Sequence, residues 1–165
     1  MHIIIDNEQF VRVLKRMTHQ IIEYNMQLDQ IVLIGIEKKG TPLAKAIQSY
    51  IKEFEGVEVP LETIDISAHR DDDKKKDDSN IKFVTNINNK IVILVDDVLY
   101  TGRSVRAAMD AIMDMGRPSK IELAIFVDRG HRELPIRADF VGKNIPTSRN
   151  ERVVCDFESK IVSLI

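Results

Sequence analysis

Two adjacent carboxylates, Asp96 and Asp97, interrupt an otherwise apolar run in KIVILVDDVLYTGRS, which spans Lys90–Ser104. A threonine–glycine pair and a serine follow them and precede a segment with helical spacing. The free backbone amides at the start of a helix bind phosphate, and glycine lets the backbone approach that phosphate closely. Carboxylates repel phosphate, so they must face hydroxyl groups, a divalent cation or a developing positive charge. A ribose 5-phosphate satisfies both requirements at once.

The carboxylate pair also has a plain structural explanation, because such pairs occur in solvated turns and at helix N-caps. The dipeptide alone would favour that explanation. The ordered series of apolar strand, carboxylate pair, apolar pair, threonine–glycine and helix favours a functional site instead. In that site Asp96 and Asp97 accept hydrogen bonds from the ribose 2′ and 3′ hydroxyls and stabilise positive charge that develops at C1.

The elements that must position these residues follow from hydrophobic periodicity. Asp6 and Gln9 predict a capping box at the start of a helix that ends near Asn25. Two further helices are predicted at Thr41–Phe54, with Thr41 as the cap and Pro42 in the first position, and at Arg103–Met115. Strands are predicted at Ile31–Ile36, within Val57–Ile66, at Lys90–Val95, at Ile121–Val127, and near Asp139–Gly142 and Val153–Phe157.

Strands that alternate with helices predict an α/β fold in which helices flank a Rossmann-like central parallel sheet. The 165 residues form a single predicted domain, 1–165, without a linker or repeat. Ligands of such sheets bind beyond the carboxyl ends of the strands, which is where the carboxylates of KIVILVDD lie.

Composition narrows the class of protein. A single cysteine, Cys155, excludes an internal disulfide, and the N-terminus lacks the pattern of a signal peptide. No apolar run has the length of a membrane span, so we expect a cytoplasmic protein with no membrane partner. The net charge of −2 excludes a general nucleic-acid coat, so any RNA must bind a local basic patch.

The segment VILVDDVLYTGRS, Val92–Ser104, resembles the phosphoribosyl-pyrophosphate (PRPP) loop of the type I phosphoribosyltransferases. The resemblance implies that family's fold, with a small hood and a flexible loop, and contacts from Asp96 and Asp97 to the ribose hydroxyls. It also implies a Mg²⁺ ion carried by the pyrophosphate of PRPP, with no metal held by protein ligands alone. The implied binding residues in this loop are Val98, Leu99, Tyr100, Thr101, Gly102, Arg103 and Ser104.

A wider resemblance covers Asp96–Ser148, Gly35–Ala44 and Asp65–Asp72. These segments are similar to a branch of the same family, the bacterial proteins that regulate pyrimidine operons through transcription attenuation. The resemblance implies uracil phosphoribosyltransferase activity, in which uracil and PRPP give UMP and pyrophosphate. It also implies UMP-dependent binding to the leader mRNA of a pyrimidine operon, and a homodimer or homotetramer.

The resemblance assigns further residues to the reaction. Lys38, Lys39 and Gly40 correspond to the pyrophosphate loop, where the family usually has Arg at the position of Lys39; lysine keeps the charge but loses the bidentate fork. Arg70, in the charged loop His69–Asn80, is implied to act with the two carboxylates by contacting pyrophosphate. The base site is implied to include Asp128, Arg129, Phe140 and Val141.

Each of these segments also has a structural alternative. EKKG, Glu37–Gly40, read alone is a solvated loop, and the acidic and basic run of His69–Asn80 is a surface insert. Phe140 serves equally as a core aromatic.

A local basic patch is present in the sequence. The segment from Arg129 to Arg152 contains six Lys or Arg residues and three Asp or Glu residues, which gives it a net charge of +3. The RNA-binding branch of the family matches this chain at Arg16, His19, His131, Arg132, Arg137 and Lys143. It usually has Arg where this chain has Tyr24, although a tyrosine can stack on a base. A basic helix face also serves solubility, so a salvage phosphoribosyltransferase without RNA binding is the alternative function.

Overall fold

The computed structural model describes residues 1–67 and 83–165. In this part of the chain the strands are β1 (His2–Ile5), β2 (Ile31–Ile36), β3 (Leu61–Ile64), β4 (Ile91–Leu99), β5 (Lys120–Asp128), β6 (Phe140–Asn144), β7 (Val153–Asp156) and β8 (Ile161–Leu164). The helices are α1 (Asn7–Tyr24), α2 (Gly40–Glu55) and α3 (Arg103–Met115), and a 3₁₀ turn spans Leu28–Gln30. The predicted flexible loop His69–Asn80, with Arg70, lies outside the described residues.

Five strands form a parallel sheet in the order β3-β2-β4-β5-β6, which confirms the predicted fold class. The whole of β2, IVLIGI, is buried, as expected for a central strand covered on both faces. Helices α1 and α2 pack on one face of the sheet through residues such as Phe10 and Leu43. Helix α3 packs on the other face through Val105, Ala108 and Ile112.

A second, antiparallel sheet joins the first and last strands in the order β1-β8-β7. His2 lies opposite Leu164, and Val153 lies opposite Leu164 on the other side of β8. The sequence predicted β7 but neither β1 nor β8. Both missed strands are only four residues long, and the partner of β1 lies more than 150 residues away in sequence. These three strands form the small sheet that we call the hood.

Helix α1 begins as predicted. The Gln9 amide donates to Asp6 Oδ1 at 2.9 Å, and the Asp6 amide donates to Gln9 Oε1 at 3.3 Å, which completes the capping box. The helix ends at a C-cap formed by Asn25, where the prediction placed its end.

Helix α2 does not begin as predicted. Its N-cap is Lys39, without a side-chain cap, and the helix starts at Gly40. The predicted cap Thr41 lies inside the first turn, and its buried hydroxyl has no hydrogen-bond partner among the described residues. The sequence rule failed here because the close packing of Gly40 on the sheet sets the start of the helix.

Strand β4 is longer than predicted. It was expected to end at Val95, but its pairing with β5 continues as Asp96 opposite Ile125, Val98 opposite Val127 and Leu99 opposite Asp128. Because charged residues are rare in buried strands, the two aspartates suggested that the strand ends before them, although its pairing with β5 continues. The two carboxylates therefore lie on a rigid strand.

No helix in the described ranges is long and apolar enough to cross a membrane.

Candidate functional site

The carboxylates Asp96 and Asp97 lie near the carboxyl end of the central strand β4. The Asp97 amide donates to Asp96 Oδ1 at 2.9 Å, and the Val98 amide donates to Asp97 Oδ1 at 2.7 Å. Asp96 is buried, whereas Asp97 is half-buried. Because each carboxylate accepts from a backbone amide of its own strand, both keep a fixed direction without a cationic partner among residues 1–67 and 83–165.

The environment of Asp96 disfavours its charge. Burial raises the pKa of the Asp96 carboxyl well above its ordinary value, and repulsion by the Asp97 carboxylate adds to the increase. A ligand that donates hydrogen bonds or carries positive charge would compensate both effects. The pair can therefore accept hydrogen bonds from sugar hydroxyls and stabilise a developing cation, which is the role that the sequence predicts for it.

The predicted phosphate loop, Leu99–Ser104, follows the carboxylates directly. Gly102 is the N-cap of α3 and has a φ of +94°, a left-handed conformation that favours glycine. The Thr101 hydroxyl accepts from the Arg103 amide at 3.3 Å, so it orders the turn. The amides of Ser104 and Val105 belong to the first turn, which has no intrahelical acceptors for them. These amides and the dipole of the 13-residue helix favour an anion.

The lysine loop between β2 and α2 packs directly against β4. A Cβ atom at Gly40 would overlap the Val95 carbonyl oxygen and would lie 3.1 Å from the Asp96 Cα. Only glycine permits this approach, which places Lys38 and Lys39 beside the carboxylate strand. Both lysines are exposed, and the peptide bond between Glu37 and Lys38 is cis.

The hood forms the opposite wall of a cavity beside these lysines. The cavity has a volume of about 350 Å³ and is lined by Lys38, Lys39, Pro42, Val154, Cys155, Asp156, Phe157 and Glu158. Burial raises the pKa of the Cys155 thiol, and the nearby Asp97 carboxylate raises it further. Strand β7 therefore lies close to the carboxylates. Sequence reasoning missed these hood residues, because no residue type among them signals a ligand and only the tertiary fold brings them to the site.

The predicted base-site residues Asp128 and Arg129 lie at the end of β5, next to the phosphate loop. The Arg129 amide donates to the Leu99 carbonyl at 3.1 Å. The buried Arg129 guanidinium donates to Thr147 Oγ1 at 2.9 Å and to the carbonyls of Ser148 at 3.0 Å and Glu151 at 2.6 Å. Arg129 thus holds the segment 147–151 in place, a role that the sequence did not indicate.

Phe140 and Val141 do not lie at the carboxyl edge of the sheet. They begin β6, and Phe140 pairs with Ala124, whereas Asn144 at the other end of β6 pairs with Asp128. Four strand residues separate the two levels, a distance of about 13 Å. Phe140 is buried in the core beneath α1. The structure therefore favours the alternative of a core aromatic and does not bring these two residues to the predicted base site.

The predicted RNA-binding residues form two groups. Arg16 and Lys143 line a cavity of about 340 Å³ between α1 and β6, together with Arg12, a third cation. Arg16 donates to the carbonyls of Val141, at 3.3 Å, and of Gly142. His19 lies apart from this cavity, with its ring stacked on Phe54 at 4.3 Å.

The second group, His131, Arg132 and Arg137, lies in the connection between β5 and β6. His131 Nε2 is 2.5 Å from the Thr147 carbonyl oxygen, and Arg132 donates to the Ile136 carbonyl at 3.3 Å. His131 and Arg132 line a cavity of about 400 Å³ with Asn144. Asn144 follows Lys143 in β6, so both groups include or adjoin residues at the carboxyl end of that strand.

This connection is also tied to the phosphate loop. The Glu133 amide donates to the Thr101 carbonyl at 3.0 Å, and Arg103 Nε lies 3.1 Å from Glu133 Oε1. The ring of Tyr100 contacts the Arg129 guanidinium at 4.0 Å and the edge of His131 at 5.5 Å. Phosphate-loop and basic residues therefore form one contact network.

Within residues 1–67 and 83–165, no three His, Cys, Asp or Glu side chains lie close enough together to hold a metal ion.

Comparison with known proteins identifies the family. A family model described as a phosphoribosyl transferase domain matches residues 2–160. A protein from Streptococcus suis named Bifunctional protein PyrR is 54% identical, over 92% of this chain and 87% of that protein. A protein of the same name from Oceanobacillus iheyensis is 57% identical, over 92% of this chain and 87% of that protein. Another from Fusobacterium nucleatum is 52% identical, over 93% of this chain and 89% of that protein.

Solved structures share the fold at much lower identity. A hypoxanthine-guanine phosphoribosyltransferase from Bacillus anthracis superposes with a TM-score of 0.76 at 22% identity, over 100% of this chain and 97% of that one. A hypoxanthine phosphoribosyltransferase from Trypanosoma cruzi gives a TM-score of 0.77 at 18% identity, over 99% and 95% of the two chains. At these identities the likeness concerns the fold alone.

The raised pKa of Asp96 predicts a pH-dependent cost in stability. A carboxyl whose pKa is higher in the folded protein destabilises the fold when ionised, and this cost disappears below the unfolded-state pKa of about 3.9. We expect Asp96→Asn, which keeps the acceptor for the Asp97 amide, to increase the free energy of unfolding at pH 7. The gain should shrink as the pH approaches 4.

Urea unfolding followed by circular dichroism at several pH values measures this difference. Asp29→Asn, an exposed substitution, serves as the control and should change little at any pH. A less stable Asp96→Asn variant at pH 7 would contradict the prediction.

Proposed function

We propose, from the premise that the chain belongs to the phosphoribosyltransferase family, that it makes UMP from uracil and PRPP and regulates pyrimidine genes by binding leader mRNA in response to UMP. One observation carries the catalytic part: Asp96 and Asp97 lie on a rigid strand that leads directly into an anion-binding helix terminus. The regulatory part is supported by relatives that are more than 50% identical and are named bifunctional.

The proposed reaction is a displacement at ribose C1. The bond from C1 to the pyrophosphate oxygen breaks and its electron pair leaves with pyrophosphate. Uracil N1 bonds to C1 and gives its proton to the leaving pyrophosphate or to solvent. Asp96 and Asp97 hold the 2′ and 3′ hydroxyls and stabilise the positive charge on the ribose ring as it develops. The amides of the first turn of α3, with Thr101 and Ser104, hold the 5′-phosphate so that C1 stays in place.

The leaving pyrophosphate is proposed to lie on the lysine loop. Lys38 and Lys39 supply positive charge beside the carboxylate strand, and Arg70 is proposed to contact the same group. Mg²⁺ is proposed to enter as part of the substrate on the pyrophosphate oxygens, where it neutralises charge on the leaving group. The hood excludes water from the other side of the reaction centre.

The base is proposed to lie at the end of β5, near Asp128. Asp128 lines the cavity of about 400 Å³, and so does Thr147 of the segment 147–151. Arg129 is proposed to act there indirectly, because its guanidinium fixes that segment. Phe140 is left out of this proposal, since its ring belongs to the core.

A physical link between the phosphate loop and the basic connection supports the response to UMP. Tyr100 belongs to the loop that would hold the UMP phosphate, and its ring contacts both Arg129 and His131. His131 is in turn next to Arg132, a proposed RNA contact. When the phosphate fixes the loop, it would also fix these side chains in the arrangement that RNA requires.

The assembly and location follow the family resemblance. We propose a homodimer or homotetramer in the cytoplasm. Salvage without RNA binding is the second candidate, favoured by the exposed Tyr24 where the RNA-binding branch usually has arginine.

Removing one carboxylate tests the catalytic proposal. We expect Asp97→Ala to lower the rate of UMP formation by about a hundredfold or more, because it removes charge stabilisation at C1. Circular dichroism should show an intact fold, since Asp97 is only half-buried. Asp110→Ala, on the exposed face of α3, is the control, and an unchanged rate in the Asp97 variant would exclude this site.

Removing one cation tests the regulatory proposal. We expect Arg137→Ala to weaken binding of a stem-loop leader RNA in the presence of UMP and to reduce the slope of log K against log salt by about one unit. UMP formation should stay the same. Arg117→Ala is the matched control, because Arg117 is equally exposed but lies beyond the far end of α3. Failure of the wild-type protein to bind the RNA would leave the salvage alternative.

The link through Tyr100 makes a separate prediction. We expect Tyr100→Leu to reduce the increase in RNA affinity that UMP causes, because the contacts to Arg129 and His131 are lost. Tyr100→Phe keeps the ring and should respond like the wild type. RNA affinity is measured with and without UMP. Calorimetry of UMP binding shows whether a smaller effect on RNA affinity arises because the variant binds UMP less tightly. A full UMP response in Tyr100→Leu would disprove the link.

A further inference from the structure

Tyr24 is a large exposed aromatic side chain at the last position of α1. Its exposed fraction is 62%, and its ring borders a cavity of about 570 Å³. The cavity is lined by Gln20, Glu23, Tyr24, Asp139, Phe140 and Val141. This cavity lies beside the amino end of β6, so it is distinct from the carboxyl edge where the reaction is proposed.

The ring of Tyr24 is held by its neighbours. Lys120 Nζ lies 5.0 Å from the ring centroid, and the Phe140 ring meets it edge-on at 5.7 Å. Lys120 is itself fixed by an ion pair of 2.9 Å to the buried carboxylate of Glu122. Glu122 also accepts from the Asn25 side chain at 2.9 Å. An aromatic face held by a core aromatic and an anchored cation is a preformed stacking surface.

The charges of the cavity indicate which part of a ligand would enter. Glu23 and Asp139 place two carboxylates at its wall, and one Asp139 oxygen already accepts from the Leu123 amide at 2.8 Å. Carboxylates repel a phosphate but accept hydrogen bonds from N–H groups. A flat ring with several N–H donors along one edge therefore fits best. Among the RNA bases, guanine has this edge.

The cavity adjoins the cavity of about 340 Å³ between α1 and β6, which we call the basic groove because Arg12, Arg16 and Lys143 line it. Val141 lines the first cavity, and its neighbour Gly142 lines the groove. Arg16 bonds to Gln20 at 3.2 Å, so the cation of the groove and a residue of the cavity are in direct contact. From Arg12 to Tyr24 the helix rises by about 18 Å, the length of a few nucleotides. A positive groove that ends at an exposed aromatic ring is the arrangement that single-stranded nucleic acid uses.

We propose that Tyr24 is the stacking site for an unpaired guanine of the bound RNA. The neighbouring phosphates lie on Arg12, Arg16 and Lys143, and the carboxylates of Glu23 and Asp139 accept from the guanine edge. The inference rests on the proposed RNA-binding function and identifies the class of base that this surface takes.

Binding of short oligonucleotides to the full chain, with UMP present, tests the proposal. The probes are fluorescein-labelled single-stranded hexauridylate and the same oligomer with one central guanine or adenine. We expect the guanine oligomer to bind most tightly and Tyr24→Ala to weaken it by about tenfold. Tyr24→Phe should bind like the wild type, and Glu23→Ala should lose the preference for guanine over adenine. Met26→Ala, at a side chain that is 93% exposed and lies outside the cavity, is the control.

Tyrosine fluorescence gives a second readout, because the chain has three tyrosines and no tryptophan. The guanine oligomer should quench part of this emission in the wild type and much less in Tyr24→Phe, although that variant still binds. Unchanged oligomer affinity in Tyr24→Ala would overturn the inference while leaving RNA binding intact. A change of oligomeric state in Tyr24→Ala, with RNA affinity unchanged, would also overturn it, because the cavity would then join two copies of the chain. No RNA binding by the wild type, with or without UMP, would instead refute the proposed function.

Discussion

The backbone pairing of β4 with β5 through Asp96, Val98 and Leu99 is the interaction on which the geometry of the site depends. A buried carboxylate next to a second carboxylate costs free energy, so a flexible loop would turn both toward water. The ladder prevents this movement, and the amides of Asp97 and Val98 each fix one carboxyl group. The turn into α3, where we propose that phosphate binds, begins where the ladder stops. Groups suited to positive and to negative charge therefore lie only a few residues apart.

The sequence predicted the parallel sheet, the three helices and the turn between the carboxylate strand and α3. These features depend on local patterns: the capping box of Asp6 and Gln9, the fully apolar β2, and glycine before α3. It did not predict the pairing of β1 with β8 or the hood wall beside Lys39, because those contacts join residues more than a hundred positions apart. Phe140 shows the same limit, since an aromatic residue in a strand fits a ligand site and a core equally well.

Arg129 shows how a residue can be in the right place for an unexpected reason. Its position at the end of a central strand suggested contact with a ligand, but its guanidinium bonds to three groups of the segment 147–151 and lies against Tyr100. Removing such a buried cation would disturb both the phosphate loop and the basic connection. Loss of activity in an Arg129 variant would therefore say little about contact with the base.

The pairing of β1 with β8 has a consequence for the order of assembly. His2–Ile5 is synthesised before the other described strands, but its hydrogen-bonded partner Ile161–Leu164 is made more than 150 residues later. Until then the hood has no central strand, and the wall that faces Lys39 is missing. The parallel sheet is able to collapse earlier, since its strands are complete by Asn144. A nascent chain would thus acquire its nucleotide-binding loop before it acquires an enclosed reaction centre.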